Sequence, residues 1–160
     1  MIIAAVRTLF PTSRILHPDT MKLSARTEYA CLAMLQLAQE HASGDPVQIR
    51  RIADEHAIPA RFLVQILLQL KGAGLVASTR GAAGGYRLAR PPREITLADV
   101  IEVMEGLERP ETSAGKQTPL VGALLQLCRE LGDAQRDRLD ETSLADIVEQ
   151  AARREPMWYI

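Results

Sequence analysis

The string Leu75-Val-Ala-Ser-Thr-Arg80, Gly81-Ala-Ala-Gly-Gly85, Tyr86-Arg-Leu-Ala-Arg90 limits the fold of this chain more than any other stretch. Two short β-capable runs joined by a glycine-rich link read as a hairpin, and Pro91-Pro92 closes it. Three short helical patterns come before it. From Ser24 to about Gln39, Ala30, Ala33, Met34, Leu37 and Ala38 recur at helical spacing, with Ser24 placed to cap the start and His41-Ala-Ser-Gly-Asp-Pro46 to end it. From Gln48 to His56, Ile49, Ile52, Ala53 and His56 fall on one side and Arg50 and Arg51 on the other. Ile58-Pro59 breaks that pattern, because the residue before a proline is pushed out of helical geometry. A third helix, Ala60 to Lys71, buries Leu63, Ile66, Leu67 and Leu70 and turns Arg61, Val64, Gln65 and Leu68 outward, until Gly72 and Gly74 stop it. Helix, helix, tight turn, helix, hairpin is the order of a winged helix-turn-helix.

Beyond the hairpin, Thr96-Leu-Ala-Asp99 is a capping signature for a fourth helix with Leu97, Val100, Ile101 and Met104 inward. Nearly the same string returns at Ser143-Leu-Ala-Asp146 and reads as a reused helix start rather than a repeat. A long helix from Leu120 to about Asp140 carries Leu120, Leu124, Leu127 and Leu131 on one stripe, beside Val121, Leu125 and Cys128. So wide an apolar stripe exceeds what a lone surface helix needs and calls for a partner subunit. The expected layout is an extension over 1–20, a winged helix-turn-helix over 21–92, a connecting helix over 93–105, a flexible loop over 106–119, a dimerisation helix with a short terminal helix over 120–152, and a tail over 153–160. The fold class is mainly α with a small β-hairpin.

Charge is divided along the chain. There are 11 basic against 6 acidic residues through Arg90, and 8 against 14 after it. A basic first part suits a polyanion, which the acidic second part avoids. The third helix offers Arg61 and Gln65, side chains that pair with guanine and adenine edges in the major groove, and Val64 can touch a thymine methyl. The alternative reading of these residues is a solvated helix face. Arg80 at the glycine-rich tip, with Gly81, Arg87 and Arg90 behind it, favours DNA, since a mobile basic tip can reach phosphates or a narrow minor groove. Ser24, Arg26 and Tyr29 open the first helix and can grip the DNA backbone, Tyr29 having a core-edge packing role as its alternative. A nucleotide phosphate loop is the rival use of glycines, but Gly81-Ala-Ala-Gly-Gly85 lacks GxGxxG spacing and the Walker lysine, and it opens a strand.

Other chemistry finds little support. Cys31 and Cys128 have no metal-site spacing and sit in apolar runs, which predicts two buried, inert thiols in a reducing cytoplasm. A redox role for Cys128, with Arg129 beside it, is the minor alternative. No nucleophile–base pair or carboxylate constellation stands out, and His17, His41 and His56 lie at helix ends or in the extension, so no catalytic residues and no cofactor are expected. No apolar run approaches the roughly 18 residues of a membrane span. With Arg7 and Arg14 against a single acid, Asp19, the first twenty residues faintly resemble a transit peptide; the favoured reading is an extension ahead of a domain beginning near Met21, or a start codon set too early.

Lys22-Leu-Ser-Ala-Arg-Thr-Glu-Tyr-Ala30, Phe62-Leu-Val-Gln-Ile-Leu67, Ile95-Thr-Leu-Ala-Asp-Val-Ile-Glu102 and above all Gly74 through Pro91 resemble the Rrf2 family of bacterial regulators, over Met21 to about Ala151. That resemblance implies a homodimer formed through the long helix, probing a pseudo-palindromic operator on double-stranded DNA, most simply as a repressor. Arg61, Phe62, Val64 and Gln65 then fall in the recognition helix, and Arg80 and Gly81 at the wing's minor-groove contact. Some members carry Glu where this chain has Val64. Members with an iron–sulfur cluster place three cysteines in the loop after the fourth helix, whereas Gly106–Pro119 contains neither cysteine nor histidine, so no cluster of that kind is expected. Some relatives act with a metabolic enzyme, which makes the polar loop a candidate surface for an enzyme or small effector.

Overall fold

The computed structural model describes residues 23–106 and 114–154. The extension over 1–20, residues 107–113 of the loop and residues 155–160 of the tail lie outside them. The described chain is six α-helices and one antiparallel hairpin: α1 Ala25–Gln39, α2 Ile49–Glu55, α3 Ala60–Gly72, β1 Val76–Thr79, β2 Gly85–Leu88, α4 Leu97–Glu105, α5 Pro119–Asp140 and α6 Leu144–Arg154. The hairpin pairs Val76 with Leu88 and Thr79 with Gly85.

Helix α1 is the central post, packed against α3, α4, β2 and α6. Ala30, Ala33, Met34 and Leu37 along it are almost wholly buried, together with Ile52 of α2 and Leu63, Ile66, Leu67 and Leu70 of α3. Ser24 caps it by accepting the Thr27 N–H at 3.2 Å. The four aliphatic residues of α3 together contribute roughly 6–12 kcal/mol of burial before chain entropy is set against it, enough to fix which side of α3 faces outward.

The turn between α2 and α3 shows what the break at Pro59 is for. The Ile58 N–H reaches back to the Ala53 carbonyl at 3.0 Å, the wrap-back bond of a Schellman cap. Such a cap needs a left-handed residue just before the bond, and Ala57 takes it at φ 51°. Helix α3 ends the same way, with Leu75 bonding back to Leu70 at 3.0 Å, but there Gly74 holds the left-handed position at φ 76°.

The two similar strings of the second half prove to be neighbours. Thr96 and Asp99 close a capping box at the start of α4. Ser143 and Asp146 do the same at α6, with Ser143 N–H on Asp146 Oδ2 at 2.9 Å and Asp146 N–H on Ser143 Oγ at 3.2 Å. The hydroxyl and backbone N–H of Ser143, in that order, hold the Asp146 carboxyl below the usual carboxylate range. Backbone bonds of 2.9 Å from Leu97 to Thr142 and from Leu144 to Ile95 stitch the two helix starts together. An ion pair of Arg93 with Glu149 at 2.7 Å adds to the seam.

Several expectations need correction. Pro119 is the first residue of α5 rather than the end of a loop, because Thr118 accepts the Val121 N–H at 3.3 Å and caps the helix there. Residues 153 and 154 belong to α6, not to a tail. The connecting region over 93–105 begins with a 3-10 turn, Pro92–Glu94, and only then becomes helix. The apolar side of α5 is also not one surface. Val121 and Leu125 are half-buried, on the helix whose packing partner in the chain is α4. Leu120, Leu124, Leu127 and Leu131 stay between 53% and 83% exposed. Cys128 is exposed rather than buried, because a helix covered along one side only leaves its other positions in solvent; Cys31 alone is buried.

Replacing Ala57 with glycine should relieve the left-handed strain and stabilise the protein by about 0.5–1 kcal/mol, read as a rise of a few degrees in thermal midpoint. Ala57→Val should lower it.

Candidate nucleic-acid interface

The outward face of α3 carries Arg61, Phe62, Val64 and Gln65, all exposed. No acidic residue stands in its first turn, in contrast to Glu28 of α1, Asp99 of α4 and Asp146 of α6. The positive end of the α3 dipole is therefore left without an internal anion and reinforced by Arg61. The Arg61 guanidinium lies over the Phe62 ring at 5.0 Å. That ring in turn meets Tyr29 of α1 at 6.4 Å between centroids. Tyr29 is half-buried and packs against the core, so its body props Phe62 and α3. Leu68, four residues after Val64, continues the same stripe and is 56% exposed. Its spacing places it on this outward face, as the sequence pattern predicts.

The hairpin is anchored on two sides. Lys71 at the end of α3 donates to Ser78 Oγ of β1 at 2.6 Å. On the other edge, Val47 and Tyr86 exchange backbone hydrogen bonds of 2.8 Å each, so the residue ahead of α2 acts as a third strand position beside β2. Gln48, the N-cap residue of α2, reaches over to the Ala82 carbonyl in the tip at 3.2 Å. The tip turns where Gly81 takes φ 107°, closed by Gly84 N–H on the Gly81 carbonyl at 3.0 Å. Gly85 is required for a different reason: a Cβ there would sit well inside contact distance of the Val47 carbonyl. Arg80 is exposed at the end of β1.

Electrostatics separates the arginines of the first part into two groups. Arg50, Arg51 and Arg90 have carboxylate partners in Asp54, Glu40 and Asp99. Among the described residues Arg26, Arg61, Arg80 and Arg87 have none. Arg26 instead donates to Gln69 of α3 at 2.7 Å. The cations without carboxylates thus stand on the first turns of α1 and α3 and on the hairpin, the elements from which DNA-backbone contacts are expected. Ser24 stands beside Arg26, its Oγ committed to the α1 cap and its N–H donated to Glu105 Oε1 at 3.3 Å.

The Rrf2 profile, described as an iron-dependent transcriptional regulator, matches residues 23–150. The chain belongs to the Rrf2 family of transcriptional regulators. It is 36% identical over 128 residues to the transcriptional regulator CymR of Bacillus subtilis, covering 80% of this chain and 90% of that protein. A Mycobacterium tuberculosis protein provisionally named as the HTH-type regulator Rv1287 is 43% identical over 132 residues, covering 80% and 81%. Among solved structures, CymR, the global cysteine regulator of B. subtilis, superposes with a TM-score of 0.72 at 34% identity, over 82% of this chain and 98% of that one. IscR of T. potens does so at 0.70 and 30%, over 90% and 96%. The family and these relatives are regulators of transcription through a winged helix-turn-helix.

The family description raises the question of iron. The whole chain has two cysteines. One of them is buried in α1 and the other exposed on α5. Burial, then the nearby carboxylates of Glu105 and Glu28, push the Cys31 thiol up to about 11, so it is a protonated thiol at neutral pH and a poor metal ligand. Among the described residues no three His, Cys, Asp or Glu side chains converge as ligands. A cluster needs thiolates gathered at one place, and this donor set does not fit one. Nor is any described helix long and apolar enough to cross a membrane.

Gly85→Ala should force the hairpin off Val47 and cost about 1–3 kcal/mol, measurable as a lowered denaturant midpoint. Operator affinity should fall with it.

Proposed function

We propose that the protein is a cytoplasmic regulator that binds double-stranded DNA as a homodimer. In each protomer α3 lies in a major groove with Arg61, Phe62, Val64 and Gln65 against base edges, while Arg80 and Gly81 carry the wing to the adjacent minor groove. Ser24 and Arg26 meet the backbone, and Tyr29 holds Phe62 in place. The observation that carries this reading is the segregation of charge: among the described residues, the arginines of the first part without carboxylate partners lie on the three elements that would face a duplex. Arg61 and Gln65 can make the bidentate contacts to guanine and adenine, and Phe62, Val64 and Leu68 supply apolar surface suited to thymine methyls. The leucine stripe of α5 supports the dimer. Four exposed leucines in a row are the kind of contiguous apolar patch that marks an interface, and a second copy of the same stripe is its simplest complement.

Two measurements test the proposal. Affinity for a duplex selected by the protein from a random pool should fall steeply with salt. Arg80→Ala should weaken sites with narrow A·T minor grooves more than others; uniform loss on every sequence would make Arg80 a plain phosphate contact. Separately, the double change Leu124→Glu with Leu131→Glu should give monomers in sedimentation and operator binding weakened by about 100-fold or more, since each half-site would then be held alone. A variant that stays dimeric would remove α5 from the interface.

A further inference from the structure

Gln69 is a half-buried residue on the flank of α3, outside the reading face. Its amide joins two elements at once. The oxygen accepts from Arg26 Nη2 of α1 at 2.7 Å, and the nitrogen donates to the Val103 carbonyl of α4 at 2.6 Å. Among side chains of this length only a primary amide can take a guanidinium hydrogen on one atom and give a hydrogen to a carbonyl with the other. The recipient lies in the last turn of α4, where helix carbonyls run out of intrahelical donors. That same turn receives the Ser24 N–H on Glu105 at 3.3 Å, and holds α5 through Glu102 and Arg136 at 3.0 Å.

We infer that Gln69 is a positioning residue for DNA binding: it aims Arg26 at the DNA backbone and ties that aim to the last turn of α4, and so to the dimerisation helix. The inference rests on the proposed backbone contact of Arg26. One guanidinium hydrogen is committed to Gln69, which leaves the others of its five free for a phosphate. An arginine held by a neutral amide keeps its full charge for the polyanion, whereas one held by a carboxylate, as Arg51 is by Glu40, has much of it cancelled. An amide is therefore the partner that orients Arg26 without neutralising it. The geometry also gives the two half-sites of a dimer a common reference, since the arginine in each half is referred to the helix that joins them.

The test is a double-mutant cycle on the full chain, read by fluorescence anisotropy against a duplex the protein has itself selected, over a salt series. Arg26→Ala removes one phosphate contact from each protomer and should reduce the slope of log affinity against log salt by about two per dimer. Gln69→Met, close in volume but unable to make either bond, should weaken binding about tenfold in the parent. It should reduce the slope likewise, and change affinity by less than about twofold when Arg26 is already alanine. Gln69→Glu, which keeps a partner for Arg26 but cancels its charge, should show the same loss of slope and decides the matter should the methionine variant melt early. If Arg26→Ala leaves the slope unchanged, the backbone contact itself is wrong. If Arg26→Ala lowers the slope while Gln69→Met and Gln69→Glu do not, or if the losses simply add, Gln69 is only a packing residue and the inference fails.

Discussion

The burial of Leu63, Ile66, Leu67 and Leu70 against α1 is the contact on which the rest of the molecule depends. A helix of 13 residues with four apolar positions on one side has a single way to sit on this core. Once that side is down, Arg61, Val64 and Gln65 have to face outward, because residues three and four apart share a side and the remaining positions fall opposite. The apolar residues left in solvent, Phe62, Val64 and Leu68, run against the tendency to bury such groups. A surface on which exposed aliphatic side chains alternate with an arginine and an amide suits base edges better than it suits water.

Around that helix the structure spends its specific hydrogen bonds on attitude. Gln69 connects it with α1 and α4, Lys71 with β1, and the Val47–Tyr86 bridge and Gln48 secure the hairpin from the far side. The exposed side-chain contacts among these add little to stability one by one. Their value is geometric, since a reading head misplaced by an ångström loses its base contacts. The surface ion pairs serve another purpose. They cancel Arg50, Arg51 and Arg90 locally and leave positive charge concentrated on the elements around α3.

The second half packs on the first through α4 and α6 and is closed on itself by one seam. The capping boxes at Thr96 and Ser143 lie side by side, and backbone bonds between the segments ahead of α4 and α6 close the gap. Helix α6 thus returns to pack on α1, while α5 lies along α4 with Leu120, Leu124, Leu127 and Leu131 turned outward.

Much of this was legible in the residues. The α3 periodicity, the caps at Ser24 and Thr96, the glycine-tipped hairpin and the leucine stripe each follow from local rules that act over a few positions, and the family resemblance stood on the same strings. Other features lay beyond such rules. Ala57 gives no hint of a left-handed turn, because alanine is an ordinary helix former and only the wrap-back bond to Ala53 demands that conformation. The pairing of the Thr96 and Ser143 caps joins residues far apart in the chain. Cys128 looked buried because leucines surround it in sequence, yet a helix covered on one side leaves it in solvent. By itself, then, the sequence determined the elements and which side of each is apolar, since those depend on near neighbours. Only the tertiary structure decided which arginines have carboxylate partners and which side chain holds Arg26, because a salt bridge or an amide bridge depends on distance in space, and periodicity along the chain carries no record of it.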